Sequence, residues 1–221
     1  GGHDGGSRAG FCDVLTKFAN TVRSQPMSMK MTGIDPKQQA ILSAAWTAFA
    51  TYGFRKASMD DIARGAGMSR PALYLHFKNK NAIFRALVAV YNAEASENLR
   101  AALVGHGALD ARLLAGFQAQ AGPAVEAMLT TPHGLEVFEA GMSAAAEDIE
   151  AGEAAFRAIY ADWLEAEAAA GRVRLTGPSA EIARTICASL KGLKHTSGDF
   201  ATYQVGVAQL AKLLGAALTL R

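Results

Sequence analysis

Residues 57–80 read Ala-Ser-Met-Asp-Asp-Ile-Ala-Arg-Gly-Ala-Gly-Met-Ser-Arg-Pro-Ala-Leu-Tyr-Leu-His-Phe-Lys-Asn-Lys. The order of capping and apolar residues predicts two short helices around a tight turn, with a third helix following at once. Ser58 stands at an N-cap with Asp61 three residues on, the pattern of a capping box. Ile62, Ala63 and Ala66 give that helix a small apolar face. Gly67 supplies a left-handed residue to end it, and Met68 plugs the turn. Ser69 caps the next helix, whose first turn tolerates Pro71 because the N–H that proline lacks would be unpaired there. Leu73 and Phe77, four apart, turn inward, which leaves Arg70, Ala72, Tyr74 and His76 toward solvent. Two helices so arranged form a helix-turn-helix, whose second helix enters the DNA major groove with its N-terminal residues at the base edges.

Upstream, Asp35-Pro36 is a cap followed by proline at the first helical position. Ile41, Leu42, Ala45, Trp46 and Phe49 recur at helical spacing toward Tyr52. Gly53 ends this helix, Phe54 packs back, and Trp46 reads as core. Downstream, Ile83, Phe84, Leu87, Val88, Tyr91, Leu99 and Leu103 describe one long helix over residues 79–103, broken by Gly105-His106-Gly107. Lys80 opens that helix behind an Asn79 cap. A cation there opposes the helix dipole, an arrangement that a DNA phosphate docked on the free N–H groups would favour. The bland reading is an exposed lysine without a role, and Tyr74 and His76 carry the same pair of readings.

Ala45, Phe49, Gly53-Phe54, Ala57-Ser58-Met59, Ile62-Ala63, Ala66-Gly67-Met68-Ser69, Leu73-Tyr74, His76-Phe77, Asn79-Lys80 and Ile83-Phe84 together resemble the tetracycline-repressor (TetR) family of bacterial transcriptional regulators. The resemblance implies an all-α chain. A three-helix DNA-binding domain at 34–80 is joined by the long helix to a larger helical effector-binding and dimerisation domain at 81–221. It implies a homodimer on double-stranded operator DNA, with no cofactor. The DNA contacts would fall on Ser58, Ser69, Arg70, Pro71, Ala72, Tyr74, His76, Lys78 and Lys80, of which Lys80 matches a phosphate contact of the family. The recognition helix departs from a glycine-rich start by using Arg70-Pro71-Ala72. Pro71 donates no backbone hydrogen bond and Ala72 offers a methyl group, so base discrimination rests mainly on Arg70, whose usual partner is guanine.

Composition agrees with packed helices: half of the 221 residues are hydrophobic and only six are proline. Cys12 and Cys187 lie far apart and match no metal spacing, so reduced thiols in a cytoplasm are expected. No apolar run approaches the length of a bilayer span, which predicts a soluble protein without a membrane partner. The net charge of +2 hides an asymmetry. Residues 28–80 hold eight bases and three acids, whereas residues 126–167 hold ten acids and one base, Arg157. The first stretch suits a polyanion, and the second reads as a solvated helix face. A helical enzyme is disfavoured by the lack of a glycine-rich phosphate loop, a nucleophile elbow or a His–carboxylate pair. Residues 1–33 read as a flexible extension, in part non-native given Met27, Met29 and Met31; a basic arm with Arg23 and Lys30 is the alternative.

Further helices are expected near 108–121, 123–130, 133–148 and 150–170, punctuated by Gly122-Pro123, Thr131-Pro132 and Gly171. In the resembled family this region encloses a small-molecule pocket. On that resemblance Phe117, Met128, Phe138, Met142, Tyr160 and Trp163 are candidate lining residues; the other reading is a filled core. Two functions follow: a repressor released from its operator by a small apolar or amphipathic ligand, or an effector-independent DNA-occluding protein of the same fold. The last two helices start at Gly177-Pro178 and Asp199. Ile182, Ile186, Leu190, Leu193, Val207, Leu210 and Leu214 give them more than one apolar face, which predicts burial against a second subunit, an intrachain core being the alternative.

Overall fold

The computed structural model describes residues 35–131 and 133–219, apart from the side chains of Leu135, Phe138, Ala140 and Met142. The 1–33 extension, with Cys12 and any basic arm, lies outside the described residues. Among the described residues there are nine helices and no strand.

Three helices form the head: α1 (Pro36–Tyr52), α2 (Met59–Gly65) and α3 (Arg70–His76). Ser58 Oγ accepts from the Asp61 N–H while Asp61 accepts from the Ser58 N–H, so the capping box is complete. Gly67, at φ 67°, makes the left-handed turn between α2 and α3. The head closes on Ile41, Ala45, Phe49, Ile62, Leu73 and Ile83, all buried. Phe54 stands between Phe49 and Phe84, with ring centroids at 5.1 and 5.2 Å.

Helix α4 (Lys80–Leu103) starts in the head core and ends in a second one. That second core gathers Leu99, Leu103, Leu113, Phe117, Phe156, Tyr160, Leu164, Ile186 and Val207. It is built from α4, α5 (Leu109–Thr130), α7 (Ala146–Ala169), α8 (Ser179–Thr196) and α9 (Phe200–Leu218), with α6 (Gly134–Ala144) lying between the two cores. Helix α5 is kinked at Gly122 (φ 54°, ψ −171°), one residue before Pro123, as the Gly-Pro pair predicts. Asp199 caps α9 through the Thr202 N–H.

Two expectations are corrected. The break after α6 falls at Ala145, not near residue 149. No glycine or proline marks it. Tertiary contacts do: Asn92 donates to the Asp148 carbonyl at 2.9 Å and Arg85 pairs with Asp148 at 2.7 Å, so the new N-terminus begins where α4 holds it. The acidic stretch is not uniformly a solvated face, because Glu167 is only 4% exposed and is bridged by Arg112 and Arg172, each at 2.8 Å.

The residues expected on a subunit face are divided between the chain's own core and its margin. Ile186, Leu190 and Val207 are buried in this chain's own core, and Ile182, Leu193, Leu210 and Leu214 pack against it from partly buried positions. Periodicity identifies an apolar face but not its partner. The large apolar side chains left outside on α9 are Val205 and Leu213, 71% and 60% exposed. On α8 the open surface includes small residues beside charged ones: Ala188 is exposed, and a β-carbon on Gly192 would meet nothing within 4 Å.

Candidate nucleic-acid interface and effector cavity

The first site is the outer surface of α2, the turn and α3. Arg70, Pro71, Tyr74 and Lys78 are exposed, and Ala72 and His76 are partly so. Arg70 sits at the first position of α3, where Ser69 Oγ accepts from the Ala72 N–H at 3.3 Å. Its guanidinium reaches Asp60 on α2 at 3.1 Å and lies over the Tyr74 ring, 5.6 Å from the centroid. The hydrogen bond to Tyr74 first, and then the charge of Asp60, strengthen its hold on its proton. Arg70 is thereby held flat on the surface by two neighbours, both exposed and replaceable. Leu75, 87% exposed beside Tyr74, is an apolar group on this face that the pattern of the sequence did not single out.

Ser58 and Lys80, expected among the DNA contacts, are engaged within the head. The Ser58 hydroxyl donates to Asp61 Oδ2 at 2.5 Å, so its proton is engaged in the capping box. Lys80 turns its ammonium back into the head. Nζ donates to the carbonyls of Phe54 and Arg55 at 2.8 Å and of Ala57 at 3.2 Å. It also stands 5.0 Å from the centroid of the Phe54 ring. Those carbonyls belong to the turn after α1, which has no helix ladder to satisfy them. A lysine at a helix start is unfavourable for the dipole, and here it is offset by three oxygens aimed at it. The sequence shows the cation but not the carbonyls that use it.

The second site is a cavity of about 420 Å³ between the two cores, within the size range of small-molecule pockets. Its apolar wall includes Phe117, Met128, Phe156 and Leu190, each less than a tenth exposed. Trp46, Phe84 and Leu87 close the end toward the head. Trp46, expected to be core alone, does both: it packs on the head core and faces the cavity. The α5 kink opens part of the wall, since Gln120, Ala121, Ala124 and Val125 flank Gly122 and line the space.

Of the candidate lining residues, Phe117 and Met128 face this cavity. Tyr160 and Trp163 do not. Tyr160 is fully buried behind Phe117, its hydroxyl donating to Gln120 Oε1 at 2.8 Å. Trp163 faces away, under the Arg112 guanidinium at 5.3 Å, and its indole N–H finds no hydrogen-bond partner among the described residues. The side chains of Phe138 and Met142 lie outside the described residues. What sequence reasoning missed is the polar wall: Asn92 on α4, Glu153 and Arg157 on α7, and Arg184, Lys191 and Lys194 on α8. The α8 members, with Cys187 and Ala188, fall at three- and four-residue spacings, one stripe of a helix. Burial pushes the Cys187 thiol up to about 11, which leaves it protonated and unreactive at neutral pH.

Residues 41–87 match the family described as "Bacterial regulatory proteins, tetR family". An uncharacterized HTH-type transcriptional regulator, YdgC of Bacillus subtilis (strain 168), is 30% identical over 79 residues, 36% of this chain and 40% of that one. The HTH-type transcriptional regulator EthR of Mycolicibacterium smegmatis is 41% identical over 54 residues, 24% of this chain and 25% of that one. The matched region thus spans two-fifths or less of these relatives. Beyond it, likeness is in fold. The structure of SmeT, repressor of the Stenotrophomonas maltophilia multidrug efflux pump SmeDEF, aligns with a TM-score of 0.62 at 21% identity, covering 83% of this chain and 90% of that one. SmeT in complex with triclosan aligns with a TM-score of 0.61 at 20% identity, over 84% and 93%.

Proposed function

The chain belongs to the tetR family of bacterial regulatory proteins, and on that premise we propose that it is an operator-binding transcriptional repressor released by a small ligand. The observation that carries the reading is the position of the cavity. Trp46 on α1 and Phe84 and Leu87 on α4 are shared between its wall and the packing of the DNA-binding head. A ligand that repacks these side chains acts directly on the element that positions α3. To switch the protein from mostly bound to mostly released, it must favour the released arrangement by about 5 kcal/mol. An effector-independent occluding protein would need no such space, so the cavity favours the ligand-responsive reading. That the same fold in SmeT accommodates triclosan supports it further.

In this reading Arg70 leaves Asp60 for a guanine, while Tyr74, His76 and Lys78 hold phosphates and Leu75 rests on a thymine methyl. Ser58 and Lys80 act indirectly, by fixing the loop and the helix starts. Two heads are needed for a near-palindromic site. The second copy is expected on the exposed side of α8 and α9 that carries Gly192, Val205 and Leu213.

The test is a titration of the purified chain against duplex from upstream of its own gene and a scrambled duplex, at several salt concentrations. Selective binding is expected, with a log–log salt slope of about −0.9 per phosphate neutralised. Absence of binding to either duplex at low salt would overturn the proposal.

A further inference from the structure

Tyrosines from α4, α7 and α9 gather beside the α5 kink. Tyr91 of α4 donates to the Gln120 main-chain carbonyl and Tyr160 of α7 to Gln120 Oε1, each at 2.8 Å. Burial first, and among the further causes the nearness of Tyr203 on α9, strengthens the hold of both hydroxyls on their protons. Tyr203 is 5% exposed and lines the cavity, but its own hydroxyl bonds to no described residue. The Gln120 side-chain nitrogen, on the same wall, also lacks a partner among the described residues, since Gln120 is engaged through its two oxygens. Buried polar groups are ordinarily paired. Unpaired donors on the wall of an apolar space mark where a polar atom of a ligand belongs. The charged side chains of the wall make no such demand. Lys191 bonds Glu153 at 2.6 Å and Arg157 meets Glu150 at 2.9 Å. Arg184 and Lys191 are open to solvent, and Lys194 has a partner of its own.

Resting on the ligand-responsive reading above and deepening it, we propose that the cavity takes a neutral, mainly apolar molecule with one carbonyl oxygen, which accepts from the Tyr203 hydroxyl beside Gln120. Phe117, Phe156 and Met128 hold the apolar body. Burial pushes the Tyr203 hydroxyl up to about 12, so it keeps its proton at neutral pH and donates it. A hydrocarbon of the same shape would seal that proton from water without an acceptor. A carboxylate would give up its hydration for neutral donors at this end of the cavity. The carbonyl satisfies the donor at a smaller desolvation cost.

The test is calorimetric titration of the full chain, without DNA, with probes of one shape: benzophenone, diphenylmethane, which lacks the oxygen, and 4-benzoylbenzoate, which adds a negative charge. Benzophenone is expected to bind about tenfold tighter than diphenylmethane, because its oxygen pairs a donor that the hydrocarbon leaves buried. It should also bind tighter than the anion. In Tyr203→Phe the preference for the ketone should fall to about twofold, with the affinity for diphenylmethane unchanged. The carbonyl stretch of bound benzophenone should move to higher frequency in that variant. The free variant should melt no lower than the wild-type chain, since the hydroxyl removed has no partner; a lower melting temperature would reveal one and overturn the proposal. So would equal affinity for ketone and hydrocarbon, an undiminished preference in the variant, tighter binding of the anion, or no binding of any probe. None of these outcomes touches the operator titration, so failure here and failure of the regulator reading remain distinct.

Discussion

The hydroxyl of Tyr91 on α4 donates to the main-chain carbonyl of Gln120 at 2.8 Å, beside the kink of α5. Gly122 leaves the helical conformation and Pro123 has no N–H, so carbonyls in the preceding turn lose their helical donors. A tyrosine from the neighbouring helix replaces one of them, and the ring also forms cavity wall. Tyr91→Phe should therefore cost about 1–3 kcal/mol, the penalty of an unmade buried bond. Thermal unfolding should show it as a fall of several degrees, since about 2–4 °C per kcal/mol is expected at this size. An unchanged melting temperature would mean the carbonyl is satisfied otherwise.

Lys80 separates two roles that are easily confused. As a clamp on three carbonyls it contributes to the head's stability even without DNA. Lys80→Met should lower stability by about 1.5–3 kcal/mol, the range for hydrogen bonds to a charged group. Denaturant unfolding of the free protein checks this. A variant with wild-type stability and reduced DNA affinity would restore the phosphate-contact role.

Arg70 and Asp60 form an exposed pair, so separating them should leave stability within about 1 kcal/mol. On operator DNA the consequences diverge. Arg70→Ala is expected to cost about 1–3 kcal/mol and to relax preference at one position per half-site. Asp60→Asn frees the guanidinium and removes a negative charge from the interface, so binding should tighten. Competition assays with single-base operator variants read both effects.

Gly53 ends α1 at φ 79°, and a β-carbon there would stand 2.8 Å from Glu136 Oε1 of α6. Gly53→Ala meets both backbone strain and this contact between head and helical domain. A loss of about 1–3 kcal/mol is expected from the positive-φ backbone alone, since ψ is 154°. In Gly53→Ala/Glu136→Ala part of any additional loss should return. A double-mutant cycle on unfolding free energies measures the coupling.

Glu167 joins Arg112 on α5 and Arg172 beyond α7. The hydrogen bonds from Arg172 and then Arg112 bring its carboxyl down to about 2, against burial, which pushes the other way. A folded value below the unfolded one means that the stabilisation is complete above about 4.5 and is lost as pH falls toward 2. Melting temperature should thus decline over this window more in the wild-type chain than in Glu167→Gln. At neutral pH the variant should be less stable by about 3 kcal/mol, because two arginines lose their partner.

Residues 35–103 were legible because their structure is local. The Ser58–Asp61 capping box, the left-handed Gly67, the Ser69 cap with Pro71 and the long apolar run from Ile83 to Leu103 each depend on neighbours within a turn or two. The kink at Gly122-Pro123 was legible for the same reason. The choice between two apolar faces of one helix was not. Leu190 and Val207 sit in the chain's own core where α8 and α9 pack on the other helices, a placement that periodicity alone does not specify.

The sequence by itself determined an all-helical chain with a helix-turn-helix head, since caps, breakers and 3.6-residue periodicity act at short range. Tertiary structure alone decided where Lys80 spends its charge, which aromatic residues face the cavity rather than hide behind it, and that Arg184, Lys191 and Lys194 share one wall with Arg157. Those facts depend on the angles at which helices far apart in the chain cross. No local pattern encodes them, because each side chain keeps the same neighbours in sequence whichever way its helix is turned.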